Sequence, residues 1–299
     1  MDPTPTILTG GRRQQGISPW SKPDAPRITV ITTTFNAVNE LPETLDSVRG
    51  QTYANVEFIV VDGGSKDGTI DLLRKLDDRI DFWMSESDKG IYDAFNKGGR
   101  HATGDWIIFL GAGDIFYSND TLEKVASFAK DASPGTEMLY TRVCITRSDG
   151  SVVEFLNSPW NQMRGRWVGG RPMIPHHQGV FHSRSLIEKE PFDISYRVAA
   201  DSKLMIRSIR RVAPVFADVV ATYAPLGGLS TAPKYFMLTA REIQRANRDA
   251  GVRNLPHELL FYLNCVAKSF FFRFAGDRLT KRVIDRYRAL TGRSIRWRV

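Results

Sequence analysis

Short apolar runs alternate along this chain with segments whose apolar residues recur every three or four positions. Residues 27–35 are rich in β-branched side chains and read as a strand. Residues 40–49 place Leu41, Leu45 and Val48 at helical spacing. Residues 56–61 form a second apolar run and end in Asp62-Gly63-Gly64-Ser65-Lys66-Asp67-Gly68. There Asp67 can cap a helix carrying Ile70, Leu72, Leu73 and Leu76. A third strand is predicted over 81–84, a helix over 91–101, and a fourth strand over 106–110. That last strand stops abruptly at Gly111-Ala112-Gly113-Asp114. Strands alternating with helices at this spacing predict right-handed βαβ units in an α/β domain, a mostly parallel central sheet flanked by helices.

The second half is more mixed. Residues 138–145 and 151–155 predict a hairpin, and a strand is expected to begin at His176. A helix is predicted over 199–209, opened by Asp201, whose structural role there would be an N-cap. Residues 214–223 are strand-like, 164–175 and 227–230 read as loops, and the pattern from Pro233 onward is helical.

Composition narrows the class. With 42% hydrophobic and 25% charged residues in 299, the chain is an ordinary globular protein. Cys144 and Cys265 lie far apart with no metal spacing. This argues against a disulfide scaffold or zinc site and fits a reducing compartment. Residues 1–26 are Pro/Gly/polar, unlike a signal peptide, and are expected to be a mobile tail. No run reaches the roughly 18 apolar residues of a membrane span.

Charge is unevenly placed. Residues 234–299 hold 15 Lys/Arg against 5 Asp/Glu, a net of +10 within a chain whose total is +8. Residues 259–274 are apolar around most of a helix, and 277–290 are amphipathic with Arg278, Lys281, Arg282 and Arg286 off the apolar face. An anionic membrane surface suits this segment. The alternative is a helical layer packed on the preceding domain. Its aromatics are clustered as apolar anchors and no nucleic-acid motif occurs, so nucleic acid is not an expected partner.

Four predicted strands end in polar or acidic residues: 33–36, Asp62, Asp88 and Asp114. In an open α/β sheet this is the edge where ligands bind. A dinucleotide site is excluded, because G-x-G-x-x-G does not follow the first strand, and a phosphate-binding P-loop is absent.

Taken in order, Ile31-Thr32-Thr33-Thr34-Phe35-Asn36, Val60-Val61-Asp62-Gly63-Gly64-Ser65-Lys66-Asp67-Gly68-Thr69, Asp88-Lys89-Gly90-Ile91-Tyr92-Asp93-Ala94-Phe95-Asn96-Lys97-Gly98, Leu110-Gly111-Ala112-Gly113-Asp114, His177-Gln178 and Ala199-Ala200-Asp201 resemble the glycosyltransferase family 2 pattern on the GT-A fold. The likeness spans about residues 27–230 and leans to the branch that builds exopolysaccharides of the colanic-acid kind.

The resemblance implies roles. Thr33, Phe35 and Asn36 would border the nucleotide, with Asp62 accepting the imide N–H of its base, leaning to uridine. Lys89, Asn96 and Lys97 would face the diphosphate or sugar. Asp114 would hold a divalent metal, Mn or Mg, with His177 as a further ligand. Asp201 would be the general base of an inverting transfer. The donor would be a nucleotide sugar, the acceptor a saccharide or lipid-linked saccharide, and the place the cytoplasmic face of the plasma membrane. The implied layout is a tail over 1–26, a catalytic domain over 27–232 and a basic helical extension over 233–299. One departure stands out: Gly111 and Gly113 occupy positions where the family often has extra carboxylates. That loss leaves a second reading, a non-catalytic binding protein on a degenerate GT-A scaffold.

Overall fold

The computed structural model describes residues 7–22, 24–147, 149–227, 232–290 and 294–297. Residues 228–230 of the expected loop lie outside them. The first half runs β1 (Leu8–Gly10), β2 (Ile28–Thr34), α1 (Leu41–Arg49), β3 (Val56–Asp62), α2 (Thr69–Lys75), β4 (Phe82–Ser85), α3 (Ile91–His101), β5 (Trp106–Gly111), β6 (Ile115–Phe116) and α4 (Thr121–Lys130). The second half runs β7 (Met138–Thr146), β8 (Val152–Leu156), α5 (Trp160–Met163), β9 (Trp167–Val168), β10 (Arg171–Pro172), β11 (Val180–Ser183), α6 (Arg184–Lys189), α7 (Ala200–Arg211), β12 (Val215–Pro225), α8 (Phe236–Asp249) and α9 (Leu255–Leu290).

One ten-stranded sheet has the order β1-β4-β3-β2-β5-β11-β7-β12-β6, with β8 on β7. The β4-β3-β2-β5 block is parallel, as the alternating pattern predicts. Beyond it β11 runs antiparallel to both β5 and β7, so the whole sheet is mixed. Side-chain alternation sends Ile31, Ile59, Val61 and Phe109 to one face, under α3, α6, α7 and α8. Val30, Phe58, Val60 and Ile108 go to the other, under α1, α2 and α4. Every residue of β2 and β3 is buried, so their polar members, Thr29 and Glu57 among them, bond to one another inside the sheet.

Two expectations change. Residues 8–16 are not a mobile tail: β1 pairs antiparallel with β4, and a 3-10 turn follows at Arg12–Gln15. The cause is charge burial within the sheet. Glu57, fully buried on β3, accepts from Arg13 at 2.9 Å, from Thr29 at 2.7 Å and from Thr103 Oγ1 at 2.8 Å. Asp81, also buried, pairs with Arg49 at 2.9 Å and Arg12 at 3.4 Å. A buried carboxylate needs such partners, and the N-terminal arginines supply them. The strand expected from His176 begins at Val180, because His177–Gly179 forms a 3-10 turn.

The C-terminal helices pack on the sheet through α8, whose Ile243 and Ala246 join the core. α9 bends at Gly276, where φ is 75°. Its first segment turns Leu255, Leu259, Leu260, Leu263, Phe270 and Phe274 outward, each more than half exposed. Its end is tied down: Arg288 meets Glu154 of β8 at 3.0 Å, and Arg147 donates to the Arg296 carbonyl at 2.8 Å.

Candidate active site

The parallel strands deliver their carboxyl ends to one edge, and the site is built there. After β2 the chain turns at Asn36, which takes a left-handed φ of 52° that Asn tolerates. The turn is held by Ser65 Oγ, which accepts from the Asn36 amide at 2.7 Å, and by Asn36 Oδ1, which accepts from Lys66 N at 2.9 Å. Phe35 projects from it with 64% of its surface exposed. Beside it, a Cβ on Gly63 would stand 2.5 Å from Asp88 Oδ2 and 3.3 Å from the Phe35 ring. Glycine at 63 therefore admits both side chains over the strand end. Thr33 is buried under this turn.

Asp62 is fully buried and committed to the chain. Its oxygens accept from Gly64 N and Ser65 N at 3.0 Å each, from Ser85 Oγ at 2.6 Å and from Ser65 Oγ. In this arrangement it shapes the 63–65 turn, and Asp88 is the carboxylate presented beside Phe35.

The α3 residues divide. Lys89 lies at its exposed N-terminal approach, lining a cleft of about 370 Å³ with Gly90, Tyr92, Asp93, Tyr196 and Arg197. Lys97 and Asn96 do not face that cleft. Lys97 is buried against Glu86 at 2.9 Å and donates to the Ser87 carbonyl at 2.9 Å. Asn96 clamps the Phe192 backbone reciprocally, at 2.7 and 2.9 Å. Both hold the site's walls, because helical periodicity turns them inward.

Asp114 is 6% exposed. Burial pushes its carboxyl up to about 6, and hydrogen bonds from Gln178 and the Gly111 amide hold the rise back. Gln178 Nε2 reaches both oxygens, at 2.9 and 3.0 Å. Among the described residues no Lys or Arg pairs with Asp114, and no group of three or more His, Cys, Asp or Glu side chains could cage a metal. The donor set thus fits a cation held by one protein carboxylate together with phosphate oxygens, not a protein cage. His177 does not join it. Both its ring nitrogens are buried without partners, and the ring stacks on Phe95 at 5.4 Å and Phe109 at 6.0 Å. The loss of water lowers its pKa and keeps it neutral. The neighbour Gln178, not His177, meets Asp114.

Asp201 is the second residue of α7 and makes no cap bond; Ala199 occupies the N-cap position. The carboxylate instead accepts from Tyr92 Oη at 2.9 Å. Burial, then the charge of Asp201, raises the Tyr92 pKa well above its ordinary value, so the phenol remains a neutral donor. Arg171, from the β9–β10 hairpin, donates to Ser202 Oγ and lies within the field of Asp201. Burial lowers its pKa, and Asp201 counters that. His176 and His177 feel the same carboxylate, and Gln178 of that turn sits on Asp114. One short turn therefore links the two acidic centres. Sequence reasoning assigned no role to Tyr92, Arg171 or Gln178. Tyr92 and Gln178 stood inside quoted motifs, whereas Arg171 lay in a loop without pattern.

Residues 29–189 match the model of glycosyl transferase family 2, and the chain belongs to that family. The match ends short of Asp201. A PGL/p-HBAD biosynthesis glycosyltransferase of Mycobacterium bovis is 35% identical over 217 residues, covering 69% of this chain and 80% of that one. Among solved structures, S. aureus TarS 1-349 in complex with UDP-GlcNAc has a TM-score of 0.58 at 18% identity, over 83% of this chain and 73% of that one. A mannosyltransferase from Pyrobaculum calidifontis in complex with GDP-Man and Mn2+ has a TM-score of 0.59 at 21% identity, over 89% of this chain and 81% of that one. The fold is GT-A, as these likenesses and the mixed sheet agree.

Proposed function

We propose that the protein is an inverting glycosyltransferase. It moves a sugar from a nucleotide donor, a UDP-sugar in our reading, to a saccharide or lipid-linked saccharide of a bacterial cell-surface glycan. The observation that carries this is the Tyr92–Asp201 pair, in which a side chain lining the cleft beside Lys89 holds the carboxylate at the start of α7. Tyr92 occupies Oδ1 of Asp201 and orients the carboxylate, and Oδ2 is left to take the proton of an acceptor hydroxyl. That hydroxyl attacks the anomeric carbon from the side opposite the diphosphate, which inverts the centre. The exposed Phe35 ring offers a stacking surface for the base, with Asp88 beside it. Asn36 keeps that turn in place, and Lys89 lies at the mouth where a diphosphate would sit. Asp62 then supports the base site by shaping the 63–65 turn.

Asp114, one buried carboxylate without a cationic partner, would hold a divalent metal. Such a metal neutralises charge on a departing diphosphate. The names and contents of the similar proteins support a sugar-nucleotide donor and a cell-envelope product.

The reading places the protein on the inner face of the plasma membrane. No helix among the described residues is long and apolar enough to cross a membrane. The outward leucines and phenylalanines of α9, in a segment of net charge +10, suit adsorption to an anionic leaflet.

The test of function is transfer measured against a panel of sugar nucleotides, with manganese and with chelator. Donor binding without transfer to any acceptor, and without donor hydrolysis, would favour a binding protein on a degenerate scaffold. Co-sedimentation with acidic and neutral vesicles tests attachment. The expected result is binding to acidic vesicles that added salt releases; equal behaviour on both vesicles overturns the membrane reading.

A further inference from the structure

The first turn of a helix leaves backbone amides without partners. At α7, the helix carrying Asp201, the sequence supplies no cap of its own. The segment leading into the helix is held from α8. Glu242 Oε1 accepts from Arg197 N at 2.8 Å, and Oε2 accepts from Val198 N at 2.8 Å and Ala199 N at 3.1 Å. Glu242 is 7% exposed, and among the described residues no Lys or Arg pairs with it. A buried carboxylate is held here by three amides in place of a cation, a charge-assisted arrangement with fixed geometry.

The same helix holds the other side of the cleft. Asn247, fully buried, donates from Nδ2 to the carbonyl of Gly170 at 2.8 Å, immediately before Arg171. Asp249 accepts from Tyr196 Oη at 2.8 Å, and the Arg245 guanidinium lies 4.2 Å from the centre of the Tyr196 ring. α8 thus fixes the backbone leading to Asp201 through Glu242 and, from another side of the helix, the backbone leading to Arg171 through Asn247. Glu242 lies beyond residues 29–189, the segment that matches the family.

We infer that Glu242 is a positioning residue for the transfer, setting the distance between Asp201 and Tyr92 by holding the 197–199 turn. This rests on the reading of Asp201 as the base. By fixing the three residues that lead into α7, Glu242 sets where the helix starts and so where the Asp201 carboxylate stands beside Tyr92. The C-terminal helices then belong to the reaction centre's frame, not only to attachment.

The experiment compares Glu242→Ala and Glu242→Gln with wild type by three readouts: turnover with saturating donor, donor dissociation constant, and amide hydrogen exchange over 197–199. Glu242→Ala should lower kcat about 30- to 100-fold, the scale of a misplacement near 1 Å. The donor constant should stay within about twofold, and the three amides should exchange faster. Glu242→Gln, which keeps one acceptor oxygen, should recover part of both losses. Wild-type kcat in Glu242→Ala overturns the inference, as does exchange unchanged at 197–199. A loss of donor binding that matches the fall in kcat also overturns it, since that marks general loosening. If wild type itself shows no transfer, the proposed function fails and the positioning role falls with it. Exchange would then report only whether Glu242 holds the turn.

Discussion

Tyr92 on α3 donates to Asp201 on α7 at 2.9 Å, joining residues 109 positions apart in the sequence. The bond closes the cleft between the parallel half of the sheet and the later helices. Asp201→Asn keeps the shape but cannot take a proton. Transfer should fall by about 10²-fold or more, the usual worth of a positioned base, with donor affinity unchanged. Tyr92→Phe should cost less, about 3- to 10-fold, because it removes the orienting bond and leaves the carboxylate. Initial rates and donor titration of both variants check this. Near-normal transfer in Asp201→Asn would move the search to another base.

Asp114 gives a stability prediction of opposite sign to its functional one. Its folded pKa of about 6 lies above the ordinary 3.8, so folding favours the protonated form. Well below the ordinary 3.8 the group is neutral in both states and adds nothing; between that value and about 6 the unfolded state ionises while the folded state keeps its proton, so the cost builds over this window and is complete above it. With metal chelated, Asp114→Asn should therefore raise stability at pH 8 by roughly 1–3 kcal/mol and leave it nearly unchanged at pH 4. Metal-dependent donor binding should be lost in the same variant. Thermal melts at the two pH values, with calorimetric titration, decide the matter.

The two lysines of α3 should part company. Lys97→Ala leaves the partly buried Glu86 without its close cation and opens a gap where the buried lysine stood, and should lower the melting temperature. Lys89→Ala, at an exposed site on the cleft, should leave the melt unchanged and weaken diphosphate binding several-fold. The reverse pattern would restore Lys97 to the donor site and remove Lys89 from it.

Arg13→Ala tests the N-terminal segment. It removes the guanidinium from Glu57, which is fully buried, although Thr29 and Thr103 remain. Breaking a fully buried pair costs about 3–5 kcal/mol, and Arg13 is 28% exposed, so a loss of roughly 1–3 kcal/mol is expected. Chemical denaturation of Arg13→Ala and Glu57→Gln measures it. No loss in Arg13→Ala would return residues 8–16 to a dispensable role.

The parallel half of the fold was legible because β2, β3 and β5 are short runs rich in β-branched and apolar residues, buried on both faces and each ending at a polar turn. The helix Ile91–His101 has the bounds its periodicity predicts. The antiparallel half was less legible. β6, β9 and β10 are two residues each, too short to carry a period. α4 lies after a turn and was not read, though its Leu122, Val125, Ala126 and Ala129 are buried. In the site, the strand-end carboxylates were legible as positions, whereas their partners were not. Gln178 meets Asp114 across 64 residues and Glu242 meets Ala199 across 43, separations that local spacing cannot encode. Lys97 and Asn96 were misplaced for a related reason: a motif names residues and leaves open which way the helix faces.

The edge strand β1 bears on the order of assembly. Leu8 pairs with Ser85 and Thr9 with Met84, so β1, once made, has no partner until some seventy-five further residues have followed. At translation rates of about 5–20 residues per second, that interval is roughly 4–15 s. Contacts so distant in sequence are also slow to form, because the intervening loop must first close. Glu57 and Asp81 meanwhile lack the cations of Arg13 and Arg12. The edge that β1 forms can therefore close only after its partner β4 has been made.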